Sequence, residues 1–81
     1  MMQDYEAAQV LLEQEAYKHN MHYCRGMAFS NDRRTIIIVE LNILNGKVGF
    51  SAFINHKGVI SDVDLDHVFK TLQKRKELSH D

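Results

Sequence analysis

Little in this sequence points to a secreted or membrane-bound protein. It has a single cysteine, no proline and no tryptophan among its 81 residues. Cys24 alone cannot form an intramolecular disulfide, whereas small secreted domains usually depend on several such bridges. The longest aliphatic run, residues 36–39, is far shorter than the roughly 20 residues that cross a bilayer. Asp4 and Glu6 are atypical of a secretory signal, so we expect a cytoplasmic protein that does not contact a membrane.

The sequence also has no excess of charge of either sign. Ten Lys and Arg residues stand against eleven Asp and Glu residues, which gives a formal net charge of -1. No strong overall field would therefore attract nucleic acid or an anionic membrane. A hydrophobic fraction of 44% and a charged fraction of 26% are typical of a globular domain. Because a chain of this length has room for one core, we expect residues 1–81 to form a single domain, with a frayed tail at residues 79–81.

A first helix is predicted over residues 3–20. This segment contains neither Gly nor Pro and is rich in Ala, Leu, Glu and Gln, which are good helix formers. Val10 and Tyr17 lie away from the predicted core stripe, so the helix is apolar on more than one side. The core stripe has the three-and-four spacing of one helix face and consists of Tyr5, Ala8, Leu12 and Ala16.

A second helix is predicted near the end of the chain. Ser61 is followed three residues later by Asp64, a spacing similar to that of a capping box. We therefore expect the helix to begin after Ser61 and to end near Leu78. Its apolar stripe consists of Leu65, Val68, Phe69 and Leu72.

The segment between the helices is rich in Ile, Val, Phe and Tyr, which favour β-strands. Asn45-Gly46 is the strongest hairpin signal, since both residues tolerate the positive φ angles of a type I′ turn. A two-residue turn there fixes the register of the flanking strands and places apolar residues opposite each other on one face. The predicted pairs on this core face are Ile43 with Val48, Leu41 with Phe50, Val39 with Ala52, and Ile37 with Ile54.

The same register leaves apolar residues on the face away from the core. Ile38 is predicted to lie opposite Phe53 on that face, and Ile36 lies opposite Asn55 next to them. Polar side chains are the usual occupants of such positions. This outer face is therefore a candidate contact surface.

The residue pattern of the first predicted strand, residues 21–30, does not decide which face of the strand is buried. A two-residue loop after Ser30 would place one set of its side chains on the outer face, whereas a three-residue loop would turn the same set inward. We favour the inward arrangement because it buries more apolar surface. A bulge at Gly26 would change the face halfway along the strand. The side chains concerned are Tyr23, Met27 and Phe29.

Together these elements predict an α+β fold in the order αβββα. The three strands form an antiparallel meander, and both helices pack on one face of the sheet. This order resembles the topology of the double-stranded RNA-binding domain and of the HicA-type toxin nucleases. The resemblance is one of element order alone, because Asp62, Asp64 and Asp66 stand where the RNA-binding domains carry lysines, and His22 is not part of the Gly-Ser-His that the toxins carry on a strand.

No residue pattern predicts catalysis or a bound metal. The sequence lacks a glycine-rich phosphate loop, a nucleophile elbow and an HExxH motif. His19, His22 and Cys24 are close together but do not have the spacing of a zinc site. The alternating aspartates of residues 62–66 lack the downstream Gly and Glu of a calcium loop. We therefore expect no enzymatic activity, no catalytic residue, no cofactor and no metal.

The leading functional hypothesis is a non-enzymatic interaction module, such as a small inhibitor, an immunity-type protein, a regulator or an adaptor. Contiguous exposed apolar surface usually marks a contact site. The partner would be another protein or a second copy of the chain in a homo-oligomer. The residues expected at this surface are Ile36, Ile38 and Phe53 on the sheet, with Val10 and Tyr17 on the first helix.

The alternative hypothesis is a nucleic-acid-binding module. Residues 21–60 carry five basic and two acidic residues, and aromatic side chains alternate with them. Basic and aromatic side chains together can bind single-stranded nucleic acid. The residues that would contact phosphates are Arg25, Arg33, Arg34 and Lys47.

Overall fold

In chain order, one helix precedes and one helix follows a meander of five antiparallel strands. The computed structural model describes residues 2–30 and 34–75, and the strands pair in the order β1-β2-β3-β4-β5. The α+β class is confirmed, but the prediction of three strands is wrong. The elements are α1 (Met2–Lys18), β1 (His22–Cys24), β2 (Met27–Phe29), β3 (Ile37–Leu44), β4 (Lys47–Ile54), β5 (Lys57–Asp62) and α2 (Leu65–Lys74).

Three two-residue turns connect neighbouring strands, and two of these turns produce the strands that were not predicted. Both residues of each turn have positive φ angles, at Arg25-Gly26 (49° and 84°), Asn45-Gly46 (51° and 80°) and Asn55-His56 (51° and 71°). This is the geometry of type I′ turns, whose twist matches that of paired strands. The first turn divides the first predicted strand into β1 and β2, and the third starts β5. Arg rarely adopts positive φ and the third turn contains no glycine, so only the middle turn had a clear sequence signal. The resemblance in topology rested on three strands and is not supported by five.

The register of the β3–β4 hairpin is confirmed. Its pairs run from Ile37 opposite Ile54 to Leu44 opposite Lys47, as the Asn45-Gly46 turn predicted. The pairing extends one residue further, because the Asn55 backbone N–H donates to the carbonyl oxygen of Ile36 at 2.8 Å. The Ile36 backbone N–H in turn donates to Asn55 Oδ1 at 3.0 Å.

The favoured inward orientation is wrong for part of the first predicted strand. Tyr23 does point inward, opposite the buried Ala28. Met27 and Phe29 instead lie on the outer face, where they pair with outward-facing residues of β3. The cause is a complete chain reversal at Gly26, which changes the face that the following residues occupy. The Ser30 backbone N–H donates to the Ile37 carbonyl oxygen at 2.9 Å, so the connection to β3 spans residues 31–36 and is longer than either predicted loop.

Both helices cover the same face of the sheet, and their buried side chains join the inward-facing strand residues in one hydrophobic core. The predicted stripes are confirmed except at Tyr5, which is partly exposed. Ring stacking between His19 and Phe69, with centroids 4.7 Å apart, joins the end of α1 to α2. The buried apolar residues are Ala8, Leu12, Ala16, Met21, Ala28, Ile37, Val39, Phe50, Ala52, Ile54, Leu65, Val68, Phe69 and Leu72.

Helix α1 ends in a left-handed residue. Asn20 has a φ of 58°, and the backbone N–H of Met21 donates to the Ala16 carbonyl oxygen at 2.8 Å. This is the Schellman arrangement, which satisfies carbonyls that the helix end leaves without partners. It also turns the buried Met21 side chain back onto the core.

Helix α2 begins later than predicted. Asp64 is its N-cap, and Asp64 Oδ1 accepts a hydrogen bond from the Asp66 backbone N–H at 3.1 Å. Ser61 lies within β5, and its hydroxyl hydrogen-bonds to the Ser51 hydroxyl at 2.8 Å, so it is not available as a cap. The helix ends at Lys74, with Arg75 as its C-cap. The predicted end near Leu78 and the predicted tail at residues 79–81 lie outside the described residues.

A carboxylate joins the end of β5 to the first turn of α2. Asp62 Oδ1 accepts from the Asp64 backbone N–H at 3.1 Å, and Asp62 Oδ2 lies 2.5 Å from His67 Nδ1. The hydrogen bond from His67, followed by that from the Asp64 backbone, lowers the pKa of Asp62 below its usual value. The ionised form of Asp62 is therefore the form that favours the fold.

Two adjacent leucines on α1 test the assignment of the core. Leu12 is fully buried, whereas 52% of Leu11 is exposed. We expect Leu12→Ala to lower the free energy of unfolding by about 2–5 kcal/mol, because it leaves a cavity in the core. Leu11→Ala should cost less than about 1 kcal/mol. Urea denaturation of both variants measures the difference, and equal losses would contradict the orientation of α1.

The type I′ geometry can be tested at Gly46. A Cβ atom at this position would meet no atom within 4 Å, so any loss of stability comes from its φ of 80°. We expect Gly46→Val to lower the free energy of unfolding by about 1–2 kcal/mol. Asn45→Gly, which keeps the turn geometry, is the matched control. An unchanged melting temperature in Gly46→Val would rule out a left-handed residue there.

The Asp62 contacts predict a dependence of stability on pH. A carboxyl group with a lowered folded-state pKa stabilises the fold above its unfolded value of about 3.9. That contribution is lost as the pH falls through the folded-state pKa. Asp62→Asn should therefore melt at a lower temperature than the wild type near neutral pH, and the difference should shrink in acid. Glu6→Gln removes an exposed carboxylate from α1 and is the control. A difference that does not depend on pH would contradict the role of ionised Asp62.

Candidate interaction surface

The outer face of the sheet is the face opposite the two helices. The pairing of the strands places five positions in one line across it, one from each strand. Phe29, Ile38 and Phe53 occupy the middle of this line, and we call these three residues the apolar row. His22 on β1 and Gly58 on β5 occupy its two ends.

The apolar row forms a continuous surface on adjacent strands. The ring of His22 stacks on Phe29, with centroids 5.5 Å apart, and the side chains of Phe29, Ile38 and Phe53 are half-buried. Gly58 has no side chain to cover the edge of the Phe53 ring, which lies 3.8 Å from where a Cβ atom would be. In a sheet that has only one packed face, outward positions are usually polar. The apolar row departs from that pattern on three neighbouring strands.

A second line of residues runs beside the apolar row and is largely polar. From β2 to β5 it consists of Met27, Glu40, Ser51 and Ser61. The Asn42 side-chain amide donates to Ser51 Oγ at 3.0 Å, and Ser51 in turn hydrogen-bonds with Ser61. Within the described part of the chain, no histidine or carboxylate hydrogen-bonds to either serine hydroxyl. The network links β3, β4 and β5 through their side chains.

Glu40 is the charged member of the second line, two residues along β3 from Ile38 of the apolar row. It belongs to the central strand, β3, and its neighbours across the sheet are Met27 and Ser51. Its side chain is half-buried and makes no hydrogen bond or ion pair with any residue that the structure describes. Glu40 lines a shallow cleft of about 260 Å³ together with Ile38, Phe53 and His56. An unpartnered carboxylate therefore lines the same cleft as two apolar side chains.

The five apolar residues predicted for the contact surface are divided between two sides of the molecule. Ile38 and Phe53 lie side by side in the apolar row. Ile36, which is 41% exposed, lies near them just before β3. Val10 and Tyr17 are 52% and 61% exposed on α1, which covers the opposite face. The Tyr17 hydroxyl donates to Glu13 Oε2 at 3.0 Å, and this hydrogen bond raises the pKa of Tyr17 above its usual value.

The basic residues of the alternative hypothesis are also separated. Arg25 lies in the β1–β2 turn, and Lys47 follows the β3–β4 turn at the same end of the sheet. Arg34 precedes β3 and lies at the other end, about 25 Å away along eight strand residues. Arg33 lies outside the described residues. The remaining three do not form one patch, and on the strands only Glu40 and Lys47 bring charge to the outer face within the described residues.

The structure contains a second depression that the sequence did not predict. Leu11 on α1 and Val63 before α2 are both half exposed, and they flank the buried Phe50. Two adjoining clefts of about 390 and 300 Å³ share these three residues. Val63 lies in a short connection without periodicity, so no pattern placed it near α1.

Two further findings concern metal ions and membranes. Within residues 2–30 and 34–75, no three His, Cys, Asp or Glu side chains are grouped closely enough to hold a metal ion. Neither described helix combines the length and the apolar character that crossing a membrane requires.

Sequence reasoning favoured an inward orientation for Met27 and Phe29, and it did not include Glu40 among the contact residues, although the Asn45-Gly46 register places Glu40 on the outer face opposite Ser51. The signal for Met27 and Phe29 was the Arg25-Gly26 pair, because a turn there places Met27 opposite Glu40 and Phe29 opposite Ile38.

No family model, curated protein or solved structure matches the chain.

Proposed function

We propose that this protein is a non-enzymatic interaction module that binds another protein through the outer face of its sheet. An inhibitor, an immunity-type protein, a regulator and an adaptor all act in this way. The observation that carries the proposal is the apolar row, which spans three neighbouring strands on a face that no other part of the described chain covers. The exposed Cys24 thiol on the same face accords with a reducing, cytoplasmic setting.

Covering the apolar row is favourable for two physical reasons. Each Å² of apolar surface removed from water contributes roughly 25 cal/mol, and aromatic side chains are frequent among the residues that dominate binding energy. The row is also held by paired strands, so little conformational freedom is lost when a partner binds. Large apolar side chains on a rigid sheet are therefore well suited to recognise a protein surface.

The same geometry disfavours nucleic acid. A phosphate backbone would meet the Glu40 carboxylate at the centre of the outer face, and like charges repel. Arg25 and Lys47 are at one end of the sheet and Arg34 is at the other. Nucleic-acid binding therefore remains the second proposal, and its hallmark would be an affinity that falls steeply with salt.

The proposal predicts the effect of removing the apolar row. Ile38→Thr combined with Phe53→Thr should abolish binding of a protein partner and leave the domain folded, because both side chains lie outside the core and Thr favours strands. A double variant of α1, Val10→Thr with Tyr17→Thr, removes exposed apolar groups from the other side and is the control. Comparative capture from the native host, followed by isothermal titration with each captured protein, measures the effect.

A partner that binds the wild type and the α1 variant, but not the sheet variant, would support the outer face. Equal binding to all three proteins would refute it. Salt-sensitive binding of nucleic acid that is lost with Arg25→Ala and Lys47→Ala would establish the second proposal instead.

A further inference from the structure

The position of Glu40 indicates what chemistry the partner must have. We infer that the partner carries a lysine or arginine flanked by apolar side chains, and that this cation pairs with Glu40 while the apolar groups cover the apolar row. The inference rests on the proposed function and adds to it the class of surface that the outer face selects.

The first reason is the state of the Glu40 carboxylate in the free protein. It is already half-buried and lies opposite Met27 in the register of β2 and β3. It lines the cleft together with Ile38, Phe53 and His56. No described residue donates a hydrogen bond to it. The Asn42 amide, the nearest polar group along β3 on this face, is directed to Ser51.

The second reason is what happens when a partner covers this face. An apolar partner would remove the remaining water from Glu40 and leave a buried charge without a counter-charge, which is strongly unfavourable. A partner that supplies a cation avoids this loss and gains a charge-assisted hydrogen bond. The unpartnered carboxylate therefore favours a basic partner over a purely apolar one.

The shape of the cleft fits the same chemistry. Lysine and arginine carry long aliphatic stems that pack on apolar surface while the charged group stays at its edge. In the cleft of about 260 Å³, Ile38 and Phe53 can receive the stem while Glu40 receives the charged group. A guanidinium or ammonium near the Phe53 ring would also gain a cation–π interaction.

A second copy of the chain fits this face less well. Two outer faces packed against each other would enclose two Glu40 carboxylates. Within the described strands, the only permanent cation on this face is Lys47, beside the β3–β4 turn. Lys47 lies four residues along β4 from Ser51, which is opposite Glu40. His56 also lines the Glu40 cleft, but an imidazole is not a permanent cation. Self-association would therefore bury like charges without a permanent counter-charge, so a different protein is the favoured occupant.

A charge reversal at Glu40 provides the test. A phage library of random dodecapeptides is selected against the wild type, against Glu40→Lys, and against Glu6→Lys, which makes the same change on α1. We expect peptides selected by the wild type and by Glu6→Lys to carry Lys or Arg beside apolar residues. Those selected by Glu40→Lys should carry Asp or Glu instead. All three pools should fail to bind when Ile38→Thr and Phe53→Thr are added.

Binding titrations distinguish the effect of the charge of the selected side chain from the effect of its shape. One arginine-containing peptide is compared with its citrulline counterpart, a neutral analogue of the same length, on the wild type and on Glu40→Gln. We expect citrulline to weaken binding to the wild type about tenfold or more, and to have little effect on Glu40→Gln. Because Glu40→Gln preserves the shape of the side chain, it keeps the test informative if Glu40→Lys does not fold.

Three outcomes would overturn the inference. If the peptides need Ile38 and Phe53 but ignore the charge at position 40, the chemistry assigned to the partner is wrong and the proposed function stands. If no selected peptide depends on Ile38 and Phe53, the proposed function fails as well. If sedimentation shows a dimer that Ile38→Thr and Phe53→Thr dissociate, the occupant of the outer face is a second copy.

Discussion

The structure depends on tight turns that reverse the chain with both residues in the left-handed region. In a β-strand, alternate side chains point to opposite faces, so the position of each turn decides the face of every residue that follows. The turn at Arg25-Gly26 places Phe29 outside and Ala28 inside. The turn at Asn45-Gly46 does the same for Phe53 and Ala52. The core and the candidate surface are therefore two consequences of one set of turns.

At Gly26 the absence of a side chain also fits the turn to its surroundings. A Cβ atom at Gly26 would lie 3.2 Å from Leu41 Cδ1 and 3.6 Å from the Tyr5 hydroxyl, so this turn lies against the core as well as needing a positive φ. At Gly49, away from any turn, a Cβ atom would lie 2.5 Å from Leu44 Cδ1. There the missing side chain leaves space for Leu44 on the outer face.

How well each part of the fold could be predicted depended on how its turns were encoded. Asn45-Gly46 combines two residues that tolerate positive φ, and the whole register of β3 and β4 followed from it. Arg25-Gly26 has one such residue, and the pair was interpreted as a possible bulge within a single strand. Asn55-His56 has no glycine, and β5 was missed for that reason. The apolar stripes of the helices were predictable because the 3.6-residue period identifies the buried face of a helix without any information about turns.

The sheet residues of the candidate surface were predictable only where the preceding turn was recognised in the sequence. Ile38 and Phe53 are paired by the Asn45-Gly46 turn, so the sequence alone placed them together. Phe29 joins them only through the Arg25-Gly26 turn. Val10 and Tyr17 were grouped with the sheet residues because helical periodicity gives the direction of a side chain around its own axis. It does not say which side of the sheet the helix covers.

The described helices cover only one face of the sheet, and this explains why a domain of this size has an apolar outer face that remains accessible. Two helices are sufficient to bury Val39 and Ala52 on the inner face, and the described chain has no third layer for the outer face. Stable folds bury apolar sheet surface against another element, and here that element would come from another molecule. A wholly apolar outer face would accept many surfaces, including its own copy. In the proposed binding mode, the Glu40 carboxylate makes a covering surface without a cation unfavourable, and it would limit indiscriminate association while leaving the apolar row available to a basic partner.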